Sequence, residues 1–478
     1  MRQTSFGELK ELNQTGTYRR LPLTCELFSD IATSVEVLHK FMNVSDHCFM
    51  FESASETKQW GRYTFIGYDP VLEVSSTDVI EGSPKDYLSR LIAENKSPRI
   101  PGLPSFLGGL VGYFAYDYCK YEEPILDIPV EDNEGFKDFD FMLFDKLVIY
   151  DNFSQKMTLV VNIKNDNLEK RYQEGLQTLE QMKVIITRGK KKSLPKGRLL
   201  TPAKPLFDEK AYTEKVLQVK ERIREGDLFQ LVLSNRLEAE FSGSLFDTYR
   251  LLRTINPSPY MFYFSSKDME VAGASPETLV KVMGSEVLTY PLAGTRRRGQ
   301  NDLEDKDLEQ ELLADEKEKA EHNMLVDLGR NDLGKICDFG SVEVKDYLQV
   351  LRFSHVMHLG STVQGRLRTD KEALDALGAV LPAGTLSGAP KVKACQLIAQ
   401  LENNKRGIYG GAIGYLSLTG DLDTCIGIRL AYRKNGKVFV RSGAGIVADS
   451  DPHKEYVECL NKAEAMLVAL TGSERMEV

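Results

Sequence analysis

Apolar and polar residues alternate in short runs through the first part of the chain. FDFMLFDKLVIYD (Phe139 to Asp151) and KMTLVVNI (Lys156 to Ile163) have the period of two that sends successive side chains to opposite faces, and they read as strands. A helical stretch, NLEKRYQEGLQTLEQMKVII, follows at Asn167 to Ile186. DEKAYTEKVLQVKERIREGD (Asp208 to Asp227) reads as a helix with Asp208 as its N-cap and Gly226 as its stop, and FQLVLSNRLEAEF after it as a strand. A single long charged helix is predicted across Asp302 to Asp327, then the strand-like EVKDYLQVLRFSHVMHLGSTVQGRL. YLSLTGDLDTCIGIRLAYRKNGKVFVRSGAGIV has the look of a meander, with Asn435-Gly436 as a hairpin turn. The last helix is predicted from Asp451-Pro452, with proline at its first position, through Glu464 and beyond. Hairpin-joined strands in runs, with helices between the runs, predict an α+β fold with mostly antiparallel sheets.

A shift in composition interrupts this pattern. TRGKKKSLPKGRLLTPAKP (Thr187 to Pro205) is basic and poor in large apolar residues, so it reads as a solvated linker between an N-terminal region, 1–186, and a second region, 206–478. A length of 478 residues suits two or three domains. The formal charge of −9 gives no support to a nucleic-acid partner. Seven cysteines are scattered without a CxxC pair, which points to reduced thiols and a cytoplasmic location. No signal peptide is visible, and the longest uncharged run, Ile100 to Tyr116, is broken by prolines and glycines, so no membrane span is expected.

Four constellations can bear chemistry. Glu318 and Glu321 are three apart on one predicted helix, and Glu455 and Glu458 three apart on another, so each pair shares a helix face. Lys462 lies one turn further along the second face. Two such faces either converge on a hard cation such as magnesium or are simply solvated. PAGTLSGAPK (Pro382 to Lys391) is a glycine-containing loop leading into a helix; it offers N–H groups to an anion or is a tight connection, and its spacing is not that of a P-loop. PLAGTRRRG (Pro291 to Gly299) either holds carboxylates or pairs with the acidic helix that follows. SGAGIVADSD (Ser442 to Asp451) lets backbone approach a ligand at Gly443 and Gly445, or marks a bulge. His355 and His358 sit at odd spacing in a predicted strand and face opposite sides.

Taken in order, PLAGTRRRG, AEHNMLVDLGRND, SHVMHL, LPAGTLSGAPK, GIYGGAIGYL, GIR, RSGAGIV and EYVECLNKA resemble the motifs of the chorismate-utilising enzymes, over about Leu206 to Leu470. The resemblance implies two large antiparallel sheets packed as a sandwich with helices outside. It implies a magnesium cofactor with Glu321 and Glu458 as direct ligands, and Glu318 and Glu455 one shell further out. The ion would hold the ring carboxylate of chorismate, together with Thr385 and the backbone amides of Gly443 and Gly445. Tyr409 and Arg429 match groups that hold the enolpyruvyl carboxylate, and His358 the acid/base beside the departing hydroxyl. Glu277, with a catalytic part, and Thr295 match further pocket positions, while Lys462 would balance the acidic cluster. The chemistry suits the residues: a dicarboxylate needs cationic and N–H anchors, and hydroxide leaves poorly unless protonated.

Within the family, three features discriminate. Gln230 stands where the water-adding members have a lysine base, which favours amination by ammonia. Ala293 stands where aminodeoxychorismate synthases often have a nucleophilic lysine. FESA (Phe51 to Ala54) and NPSPYMFYF (Asn256 to Phe264) resemble segments that line a tryptophan inhibitor pocket in the anthranilate-forming branch, with Ser53, Pro259, Tyr260 and Met261 at the matching positions. That branch converts chorismate and ammonia to anthranilate and pyruvate, and takes its ammonia from a separate glutamine amidotransferase subunit, commonly in a heterotetramer. The alternatives are the aminodeoxychorismate-forming branch and a non-catalytic amino-acid sensor.

Overall fold

The computed structural model describes residues 2–14, 16–53, 61–353 and 356–474. Two antiparallel sheets organise them. The larger, of 13 strands, runs in the order Arg20–Phe28, Lys156–Lys164, Lys146–Asp151, Tyr63–Tyr68, Cys48–Glu52, Tyr260–Ser265, Glu270–Ser275, Leu430–Lys434, Lys437–Ile446, Gln230–Ser242 and Lys204–Pro205, with two short strands paired alongside Gln230–Ser242. The second, of 10 strands, runs Leu292–Arg297, Val356–Arg366, Glu286–Thr289, Thr278–Met283, Leu422–Ile426, Ala412–Ser417, Gly109–Phe114, Phe139–Phe144 and Leu72–Ser75, with Glu343–Arg352 paired to Val356–Arg366.

The sheets face each other across a core drawn from both. Phe49, Leu147, Phe262 and Tyr432 of the larger sheet meet Val111, Tyr113, Phe144 and Ile413 of the smaller. Helices cover the outer faces. Ser34–Phe41, Leu168–Arg188, Phe246–Ile255 and Pro452–Ser473 pack on the larger sheet, and Pro84–Ala93, Glu316–Gly334 and Ala373–Val380 on the smaller. This is the α+β sandwich expected from the sequence. Strands buried on both faces read as apolar runs rather than as clean alternation. FDFMLFDKLVIYD is such a case, and it is two strands: Phe139–Phe144 lies in one sheet and Lys146–Asp151 in the other. The crossing residue, Asp145, pairs with buried Arg20 at 3.1 Å.

Several local expectations hold. The Asp208 carboxylate accepts from the Ala211 N–H, and Asn435 and Gly436 both take positive φ at their hairpin turn. Pro452 begins the last helix behind the N-cap Asp451. The single charged helix does not. It breaks into Asp302–Ala314 and Glu316–Gly334, because Asp315 adopts extended backbone and its carboxylate caps the Lys317 and Glu318 N–H groups. The meander divides too: its first two strands lie in the smaller sheet and its last two in the larger. The basic segment adds Arg198–Leu199 and Lys204–Pro205 as partners of Gln230–Ser242, and regions 1–186 and 206–478 share both sheets. No helix among the described residues is long and apolar enough to cross a membrane.

Candidate functional site

The residues predicted to bind substrate and metal come from strands of both sheets, from the turn Gly384–Leu386 and from the helices Glu316–Gly334 and Pro452–Ser473. Glu277 lies in the two-residue crossover between strands Glu270–Ser275 and Thr278–Met283, where the chain leaves one sheet for the other. Thr385 Oγ1, in the turn Gly384–Leu386, donates to Glu277 Oε1 at 3.1 Å. Burial pushes the Glu277 carboxyl up to about 8, and the Thr385 hydrogen bond only partly offsets this. A carboxyl tuned close to neutral pH can take or give a proton under working conditions.

His358 lies in strand Val356–Arg366, against Leu292–Arg297. Its Nδ1 lies 2.8 Å from the Gly294 carbonyl oxygen and 3.1 Å from Thr295 Oγ1. The carbonyl only accepts, so Nδ1 bears the proton and Nε2 the lone pair. Burial lowers its affinity for a proton; the Gly294 bond opposes this, and nearby Arg429 adds to it. His355, the other histidine of the predicted strand, lies outside the described residues.

Arg429 has φ +51°, the left-handed region that a residue other than glycine adopts only under constraint. Burial lowers its pKa, and the Tyr409 ring oxygen opposes this. Among the described residues no carboxylate forms an ion pair with it, in contrast to the three arginines of PLAGTRRRG. Arg296 engages Glu311, Asp315 and Glu318, Arg297 engages Glu304, and Arg298 engages Asp305. Those three are answered by the acidic helices that follow, whereas Arg429 presents an unanswered guanidinium beside Tyr409 and His358. Tyr409 is buried, and its hydroxyl abuts Gly443: a methyl group there would lie 2.9 Å from that hydroxyl and 2.9 Å from the Leu233 carbonyl oxygen. Gly445 sits against the Gln230 side chain, whose Nε2 would be 2.7 Å from an added methyl.

The two acidic pairs stand near one another. Glu321 is pushed up by burial and by the Glu318 carboxylate, while a Gln230 hydrogen bond and the Lys317 and Lys462 charges oppose this. Glu455 is likewise raised by burial and by Glu458, with a Ser450 hydrogen bond, Lys462 and Lys317 opposing. Both lysines therefore act on both helices. Lys462 Nζ holds Glu458 at 2.8 Å and donates to the Gly443 carbonyl at 3.1 Å. Among the described residues no three acidic, histidine or cysteine side chains stand close enough together to enclose a metal ion. The donor set nevertheless fits a hard divalent cation: oxygen ligands only, partly desolvated, with like-charge repulsion that a cation would relieve. Lys317 was not singled out from sequence; its place between Glu316 and Glu318 was the available signal.

A second cavity, of about 300 Å³, opens between the sheets away from these residues. Ser53, Pro259, Tyr260 and Met261 all line it, as the sequence resemblance implied; Ala54 lies outside the described residues. Ser53 Oγ is shut off from solvent and has no hydrogen-bond partner among them. Lys281 and Asp423, which the sequence reading did not pick out, form an ion pair of 3.1 Å in its wall, next to Tyr415 and Arg62. Asp423 lies inside the predicted meander and Lys281 in a stretch that carries no motif, so sequence gave no signal for them.

Known proteins resemble this chain over most of its length. The chain is 44% identical over 474 residues, 95% of its length and 96% of the relative's, to anthranilate synthase component 1 of Acetivibrio thermocellus. It is 41% identical to that of Pseudomonas aeruginosa, covering 96% and 97% of the two chains. The crystal structure of anthranilate synthase component I from Streptococcus pneumoniae TIGR4 superposes with a TM-score of 0.74 at 40% identity, over 85% of this chain and 92% of that one. The menaquinone-specific isochorismate synthase of Escherichia coli shares the fold, with a TM-score of 0.72 at 22% identity over 97% and 98%. With residues 46–468 matching the family described as chorismate binding enzyme, this chain belongs to that family.

Proposed function

We propose that this chain is the chorismate-converting component of an anthranilate synthase, joining ammonia to chorismate and releasing pyruvate. The observation that carries the reading is Arg429, a buried guanidinium without a carboxylate partner among the described residues, close enough to His358 to act on its proton affinity. Arg429, unanswered and beside Tyr409, suits one carboxylate of a dicarboxylate substrate. Thr385 and the glycine backbone at 443 and 445 suit the other, next to the two acidic helices. Relatives about 40% identical over nearly the whole chain, all named anthranilate synthase component 1, support the aminating branch. Gln230 and Ala293 support it from within the site: neither supplies the base or nucleophile that the alternative products need.

Magnesium would be held by Glu321 and Glu458, with Glu318 and Glu455 behind them, and when bound would neutralise the ring carboxylate and draw charge from the ring. The protein's own groups handle the protons. His358, fixed by Gly294, aims Nε2 into the site; a bound dianion favours its protonated form, which then protonates the leaving hydroxyl. Amination leaves an excess proton on nitrogen, and ionised Glu277 takes it. Thr385, bonded to Glu277, keeps that carboxyl facing the ring.

Ammonia would come from a glutamine amidotransferase subunit, and tryptophan would occupy the 300 Å³ cavity as inhibitor. The location would be cytoplasmic, which suits seven buried, free cysteines. The test is product identification by fluorescence and mass spectrometry, with purified chain, chorismate, magnesium and ammonium. Anthranilate with equimolar pyruvate is expected. Aminodeoxychorismate would move the protein to the other branch, and tryptophan binding without turnover would make it a sensor.

A further inference from the structure

One residue in the wall of the 300 Å³ cavity reaches the crossover that holds Glu277. Tyr260, in the wall of the larger cavity, is the first residue of strand Tyr260–Ser265, and its backbone partner across the sheet is Ser275. Its hydroxyl also accepts from Thr278 Oγ1 at 3.0 Å and donates to Asp423 Oδ1 at 2.8 Å. Ser275 and Thr278 are the two ends of the crossover that contains Glu277. Tyr260 therefore grips both ends of a two-residue link, one through backbone register and one through its side chain, and each end belongs to a different sheet.

The crossover itself is lightly held. Glu277 is fixed by the Ile426 N–H to its carbonyl at 2.9 Å, by weak contacts to Ser275 Oγ at 3.4 Å and by Thr385. The pairing of strand Thr278–Met283 with Leu422–Ile426 shifts register just after Thr278, so the ladder does not lock this end. Thr278 stands behind Tyr260 and, with Glu277 and Thr385, lines a separate small cavity instead of the larger one.

Among the described residues the larger cavity has two carboxylates in its wall. Glu52 is already held by Tyr249 and, through both oxygens, by Arg253. Asp423 is held by Lys281 and by the Tyr260 hydroxyl, so an ammonium group that engages this carboxylate competes with one lysine and with one neutral, rotatable O–H, and the O–H is the partner that can turn away. We propose that the Tyr260–Thr278 hydrogen bond is the link through which an amino acid in this cavity displaces Glu277, making Thr278 a positioning residue for the reaction. This rests on the effector reading of the cavity. Occupancy withdraws the Tyr260 hydroxyl from its present partners, Thr278 follows, and Glu277 moves off Thr385. Inhibition then acts on the step that needs Glu277 and not by occupying the substrate site.

The test uses Thr278→Val and Thr278→Ser in the full chain, with tryptophan as the probe. Valine keeps the shape and removes the hydroxyl; serine keeps the hydroxyl. Calorimetric tryptophan affinity of Thr278→Val should stay within about threefold of the unaltered protein. Its inhibition, scaled to its own uninhibited rate, should need at least tenfold more tryptophan or plateau at incomplete loss. Thr278→Ser should be inhibited normally. In the unaltered protein, tryptophan should shift the pH profile of kcat, and in Thr278→Val it should not. Normal inhibition of Thr278→Val overturns the link, and so does loss of binding and inhibition together, since Thr278 would then merely shape the cavity. Should the valine variant fail to fold, Thr278→Ala, which also removes the hydroxyl and leaves Tyr260 and the cavity wall in place, decides by the same two readouts. Failure of the unaltered protein to bind tryptophan is a different result, because it sinks the effector reading itself.

Discussion

Glu277→Gln gives a direct measure of how strongly the site holds a neutral carboxyl. Burial raises this group from an ordinary 4.5 to about 8. The folded chain then binds a proton between those values that the unfolded chain has lost, so stability falls as pH rises from about 4.5 to about 8 and levels off above. Between pH 6 and pH 9 the folded state loses about 3 kcal/mol from this group alone, because ionisation becomes complete in the folded state only at the upper end. Glutamine has the same shape, can still accept from Thr385, and does not titrate. At about 2.1 cal/mol/K per residue, unfolding 478 residues has an entropy of roughly 1 kcal/mol/K. The melting-temperature gap between Glu277→Gln and the unaltered chain should thus widen by about 3 °C between pH 6 and pH 9. Differential scanning calorimetry at both pH values reads this, and Glu277→Gln should also lose most of its turnover. A gap that stays constant within about 0.5 °C would refute the buried neutral carboxyl and, with it, the proton-handling role.

Arg429→Lys replaces a flat, forked cation with a point charge, and should raise KM for chorismate about tenfold with a smaller change in kcat; an unchanged KM in steady-state assays would remove it from the substrate site. Alanine at Glu321 or Glu458 should abolish magnesium-dependent turnover, and a magnesium titration showing full activity in either variant would sink the metal assignment. Gly443→Ala forces a methyl to 2.9 Å from Tyr409 and Leu233 atoms; a cost of about 1–3 kcal/mol should appear as a lower melting temperature along with reduced kcat/KM, and wild-type behaviour in both would show that strand to be more yielding than its contacts imply. Ser53→Phe fills the cavity where Ser53 Oγ stands unpaired, and should relieve tryptophan inhibition in a dose–response assay; identical inhibition would argue that the cavity is not the effector site.

The layers of this fold were legible because strands and helices carry their periods locally. The sorting of strands between two sheets was not. Phe139–Phe144 and Lys146–Asp151 differ in no pattern, yet one residue between them, Asp145, takes the chain from one sheet to the other. The division of the charged helix at Asp315 turned on one aspartate capping forward, a choice hidden among Asp302, Asp305 and Asp307 nearby. The residues of the candidate site were legible through ordered motifs, and the geometry now gives several of them defined neighbours. Lys281, Asp423 and Thr278 were invisible because none of them belongs to a motif that the sequence displays. Only the meeting of distant segments gives them partners.

The shared sheets set a schedule for the newborn chain. Cys48–Glu52 pairs early with Tyr63–Tyr68 but finds its second neighbour only when Tyr260–Ser265 has been made, and Gly109–Phe114, paired early with Phe139–Phe144, must wait for Ala412–Ser417. At about 5–20 residues per second, the second wait lasts from roughly 15 seconds to a minute. For that interval Gly109–Phe114, apolar on both faces in the finished protein, has an unpaired side and an uncovered surface at the ribosome. A chaperone that shields this strand during synthesis should raise the yield of active chain far more than one supplied after release. Truncation anywhere before Ser417 should leave a product that aggregates instead of a smaller folded enzyme.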